Sequence, residues 1–121
     1  MEAIVLQWPG GEHAFRLPLT QLESLQQKTD SGPEFLLHKI NLGQWSAVDL
    51  FETIRCGLIG GGMAAEAAQK LVRGAFERYP LIEFKVPAQA ILGAALYGPP
   101  DDPVGEPLPV TPTPEAEKTA S

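Results

Sequence analysis

The chain reads as α+β: an N-terminal β-hairpin followed by a small bundle of about five helices. Apolar and polar residues alternate only near the start; from about position 20 apolar residues recur at spacings of three and four. Proline and glycine then punctuate the helical part, at 18, 32–33, 43, 60–62, 80, 87 and 98–100. These breaks delimit one domain over 1–98. Seven of the twelve prolines lie in 99–121, with no aromatic residue, so that segment is expected to be a disordered acidic tail.

Residues 3–7 are apolar and β-prone, Pro9-Gly10-Gly11 supplies a turn, and 13–17 resume the alternation. Ile4 and Leu6 then face the same way as Phe15 and Leu17, with Arg16 outward. Two strands alone are marginally stable, so the hairpin, spanning 3–17, needs a helical cover, whose edge Trp8 is placed to cap.

Pro18 ends the second strand. Thr20-Gln21-Leu22-Glu23 fits a capping box, and a helix over 20–28 follows with Leu22 and Leu25 inward. Asp30-Ser31-Gly32 breaks it. Pro33 suits the first turn of a helix over 33–41, because its missing N–H would have no partner there. Phe35, Leu36, Leu37 and Ile40 form that helix's apolar side.

Residues 46–59 are the helix around which the rest is organised. Ser46 is its N-cap, and Asp49 places an acid in the first turn. Val48, Phe51, Ile54 and Leu58 share one face, while Asp49, Glu52 and Arg55 read as a solvated face. Gly60-Gly61-Gly62 ends the helix, since glycine takes left-handed backbone angles at little cost. A helix over 64–79 carries a stripe of mostly small residues, Ala64, Ala67, Ala68, Leu71, Val72, Ala75 and Tyr79. Gly74 within it reads as a point of close approach. Residues 81–86 fit either an extended link or an early helical turn. The last helix spans 87–97, with Ile91, Leu92, Ala95 and Leu96 inward.

Charge narrows the function. The net charge is −6, and 99–121 hold five acids and one lysine, so that segment carries −4 and the body −2. A near-neutral body without a basic cluster does not fit nucleic acid, whose phosphates demand concentrated Lys and Arg. No apolar run approaches the ~20 residues of a membrane span. No basic-then-apolar leader is read at the start, which fits a cytoplasmic product. One cysteine, Cys56, leaves no internal disulfide and no cysteine-rich zinc site.

No constellation of catalytic groups is legible, and no enzyme is expected. Gly60–Gly62 with Ala65 fits a loose dinucleotide pattern, but a helix precedes the glycines where that motif needs a strand. No lysine and hydroxyl follow to cradle a phosphate. Cys56 has no histidine tied to it by spacing and reads as a buried, inert thiol. His13 and His38 lack metal-ligand spacing, so no metal and no cofactor is expected. Apolar residues in unusual places form the candidate protein-interaction set. Trp45 sits in a loop, and Ile59 and Met63 flank Gly60, Gly61 and Gly62. Leu81, Ile82 and Phe84 sit in the connector. Each of these residues can instead close the core; a bare apolar patch would seat a partner helix.

The order of these features resembles a known family. It comprises His13-Ala14-Phe15-Arg16-Leu17, Leu22-Glu23, Gly32-Pro33 and Gly43-Gln44-Trp45. Ile54-Arg55-Cys56-Gly57-Leu58-Ile59-Gly60-Gly61-Gly62-Met63 follows, then Ala90-Ile91-Leu92 and Leu96-Tyr97-Gly98. Over about 12–98 this is similar to the small tail assembly chaperones of siphophages and gene transfer agents. It departs at Met63-Ala64-Ala65-Glu66, where a serine or threonine cap would precede the acid. The resemblance implies a non-enzymatic chaperone that binds the tape measure protein and keeps it soluble in the host cytoplasm during tail assembly. The tail tube protein and further copies of the chain are secondary partners. The alternative is a structural tail component, a tube or adaptor subunit. A tube subunit wants strands long enough for an inter-subunit barrel, and one short hairpin favours the chaperone.

Overall fold

The structure, a computed structural model, describes residues 2–99, so the expected tail lies, but for Pro99, outside the described residues. The chain begins with a hairpin of strands β1 (Ile4–Trp8) and β2 (Gly11–Phe15). Helices α1 (Leu19–Thr29), α2 (Pro33–Asn41), α3 (Ala47–Gly60) and α4 (Ala65–Arg78) follow. A 3-10 turn (Leu81–Phe84) then leads directly into α5 (Lys85–Tyr97). A hairpin followed by five helices is the architecture that the alternation and the punctuation predict.

The strands pair antiparallel without a bulge, from Ile4 opposite Phe15 to Trp8 opposite Gly11. Ile4, Leu6 and Trp8 point to the helices together with Phe15, while Val5 and Gln7 are exposed. Trp8 does more than cap an edge. It is buried, its Nε1–H donates to His13 Nδ1 at 2.9 Å, and its ring meets Phe15 and Phe84 edge-on.

Helix α3 is the hub: α1, α4, α5, β2 and the 3-10 turn all pack on it. Its N-terminus is a reciprocal capping box. Ser46 Oγ accepts from Asp49 N at 3.1 Å, and Asp49 Oδ2 accepts from Ser46 N at 3.0 Å. Such a cap stabilises a helix by about 1 kcal/mol. Asp49 also corrects the expected solvated face. It is 3 % exposed, and its Oδ2 lies 3.2 Å from Lys39 Nζ, so it ties α2 to α3. Val48, expected inside, is 51 % exposed instead, because the buried face centres on Leu50, Ile54 and Leu58.

Four other local expectations are changed or resolved. Helix α1 starts one residue early, after an extended Pro18, and has no side-chain cap. Thr20 is then already helical and cannot act as the cap. Residues 81–84 form the 3-10 turn, and Pro87 occupies the first turn of an α5 that begins at Lys85. In α4, Ala68, Val72 and Ala75 are buried, while Ala64 and Ala67 are exposed, so its contact stripe is narrower than the sequence implies. Nothing lies within 4 Å of where a Gly74 side chain would begin, so that glycine marks no close contact.

The glycines after α3 serve a purpose that composition did not reveal. Only Gly62 has a positive φ, +119°. Gly60 and Gly61 are glycines for space. A Cβ on Gly60 would strike the Arg16 carbonyl, and one on Gly61 the Ala14 carbonyl. The Arg16 N–H donates to Gly57 O at 3.0 Å, sealing the same contact. The end of α3 thus lies directly on the outer edge of β2.

Candidate interaction surface

The nine candidate residues do not form one patch. Phe84 is fully buried, with its ring stacked on Phe76 at 4.0 Å between centroids, and so it leaves the set. Gly60 and Gly61 face the chain's own hairpin. Ile59 and Met63 are half-buried and pack against the core, as does Trp45, whose buried indole N–H has no partner among the described residues. Gly62 is exposed at the turn. Leu81 and Ile82 remain outside, 39 % and 59 % exposed. With Tyr79 and Val86, they make the Pro80 corner the densest run of bare apolar side chains in sequence.

Val86 escaped the sequence reading because 81–86 carried no clear period. In the actual helix it sits off the Ala88–Ile91–Leu92 face, and that offset was the available signal. Further exposed apolar side chains are Val5 on β1, Leu19 on α1 and Phe35 on α2. A shallow groove of about 330 Å³ also runs between α3 and α4. Val48, Phe51 and Phe76 line it together with Glu52 and Arg73. Arg55 chelates Glu52 Oε1 through Nε at 3.0 Å and Nη2 at 2.7 Å, and this bond raises the guanidinium pKa.

Cys56 is fully buried, and burial pushes its thiol pKa up against the opposing pull of Arg55. A thiol whose folded pKa is raised is stable in the fold below its ordinary value of about 8.5, and that stability is lost as pH climbs above it. Thiol-specific labelling of the folded protein at pH 8 should be on the order of a hundredfold slower than in denaturant. Equal rates would place Cys56 at the surface. His13 is engaged by Trp8, and His38 is exposed on α2. Among the described residues no three His, Cys, Asp or Glu side chains converge as a metal site would need, and no helix is long and apolar enough to cross a membrane.

The described body is a hairpin followed by helices, with exposed apolar side chains at its corners. Comparison with protein families places it among the tail proteins of phages and gene transfer agents. The model of the family described as "Phage tail tube protein, GTA-gp10" matches residues 2–98, and the chain belongs to that family. No curated protein and no solved structure matches it.

This finding corrects the expected role. The match spans all of the described residues but Pro99 and names a tail tube family, against a tape measure chaperone. The geometry removes one support of the expected role, while the family match is what separates that role from a tail subunit. The chaperone reading needed an open groove at the glycine corner, and that corner is occupied by the protein's own β2, with Phe84 closed inside the core.

Proposed function

We propose that the chain is a structural component of a phage or gene transfer agent tail, a tube or adaptor subunit that acts by protein–protein contact. The observation that carries this reading is the family match over 2–98, which takes in every strand and helix described. On this reading 1–98 fold as one unit, partners are neighbouring tail subunits, and assembly takes place in the host cell. The contact residues are drawn from the Pro80 corner, Leu81 and Ile82, and from the α3–α4 bend at Ile59, Gly62 and Met63, together with the half-buried Trp45. The shortness of the strands weighs less than the sequence reading held, because an adaptor can join its neighbours through side chains alone.

The test is the composition of purified particles. Mass spectrometry should find the chain in intact tails at a stoichiometry matching a ring or stack of subunits. Particles with complete tails that lack it would overturn the proposal.

A further inference from the structure

The hairpin has two outer edges, and the protein covers only one. Trp8 and Gly11 flank a two-residue turn, so their backbone groups face each other, and the ladder alternates from there. Ile4 and Leu6 therefore point their N–H and C=O groups at β2, while Val5 and Gln7 point theirs away. The other strand confirms this count. Arg16, outward by the same parity, donates its N–H to Gly57 O, and the Ala14 carbonyl lies against Gly61. The β2 edge is thus sealed by the end of α3. Among the described residues, the outward backbone groups of Val5 and Gln7 have no hydrogen-bond partner.

Exposed edges are normally blunted by a charge, a proline or a bulge. Ile4-Val5-Leu6-Gln7-Trp8 has no charge and no proline, and its pairing is regular. Val5 is 63 % exposed, and Ile4 and Leu6 are only half-buried beneath. We infer that this edge pairs with the same edge of a second copy of the chain, antiparallel about a two-fold axis, giving a continuous four-stranded sheet.

Three features favour a copy as the occupant. The register is self-complementary: Leu6 meets Leu6 of the copy, and Val5 and Gln7 each face the other's counterpart. In that register all the outward N–H and C=O groups of Val5 and Gln7 are paired. The paired segment is uncharged, so two chains of net charge −6 meet without like charges in the seam. The inference stands independently of the tail role, since it concerns the free chain.

Sedimentation velocity and native mass spectrometry of the full chain test it. The wild type should form a dimer of two 13.0 kDa chains, populated at tens of micromolar, about the range where one short seam binds. Val5→Pro removes only an outward donor, a position where an edge strand tolerates proline. Gln7→Lys places a charge on the edge without touching the hairpin ladder. Each should weaken the dimer by at least about tenfold with unchanged circular dichroism. Should Val5→Pro fail to fold, Gln7→Lys decides alone. In the wild-type dimer the Val5 and Gln7 amides should also exchange slowly with solvent. A wild type that stays monomeric at ~1 mM, or a dimer that Gln7→Lys leaves intact, overturns the inference.

Discussion

Gly60→Ala should destabilise the protein by about 3 kcal/mol or more, the upper range for overpacking, because the added methyl meets a backbone carbonyl that cannot rotate away. The carbonyl is that of Arg16, whose own N–H is held by Gly57 O at 3.0 Å. Relief requires the end of α3 to lift from the hairpin, which would also uncover Phe15 and Leu17, 1 % and 3 % exposed. Gly61→Ala should behave alike, since its methyl meets the Ala14 carbonyl. Gly74→Ala is the control. It sits in the interior of α4 with open space at its Cα, so it should gain up to about 1 kcal/mol from helix propensity. Urea midpoints of the three variants check this. A harmless Gly60→Ala would mean that α3 does not rest on β2 as described.

Phe84→Ala should cost about 3–5 kcal/mol, the range for removing a buried aromatic. Phe84 is fully buried and joins two aromatic groups, stacking on Phe76 and meeting Trp8 edge-on at 6.3 Å. Its loss opens a cavity where the hairpin, α4 and the start of α5 converge. Domains of this size are stable by only ~5–15 kcal/mol, so a large fraction of that margin would go. Loss of the Trp8 fluorescence change on unfolding, together with a lower denaturation midpoint, would report it. Ile82→Ala, two residues away and 59 % exposed, should leave the midpoint within about 0.5 kcal/mol.

The contrast between Phe84 and Ile82 shows what could be read in advance. The hairpin and the helices were legible because Pro18, Pro33, Gly60–Gly62 and Gly98 punctuate the chain, and because Leu36, Ile40, Ile54, Ile91 and Leu92 keep a helical period. Ser46 as the cap and Asp49 as a first-turn acid were legible because both lie within one turn, though not the reciprocal bond between them. Asp49's burial was not, since it depends on Lys39 of another helix. Phe84 and Ile82 look alike in a short connector, and only the 3-10 turn sorts one inward and one outward. Gly60 and Gly61 needed a neighbour 45 residues or so upstream to explain them, which no local pattern supplies. The role differed for the same reason: a helical body and apolar corners are equally consistent with a chaperone and a tail subunit, and the family match separated them.

Trp8 rests on Phe84, and β1 packs on α5. Strand β1 therefore waits for α5, the last helix among the described residues, before its greasy side is covered. The core cannot close before α5 has been made, and a nascent chain stalled short of it presents a half-dressed hairpin to the cell's proteases and holdases.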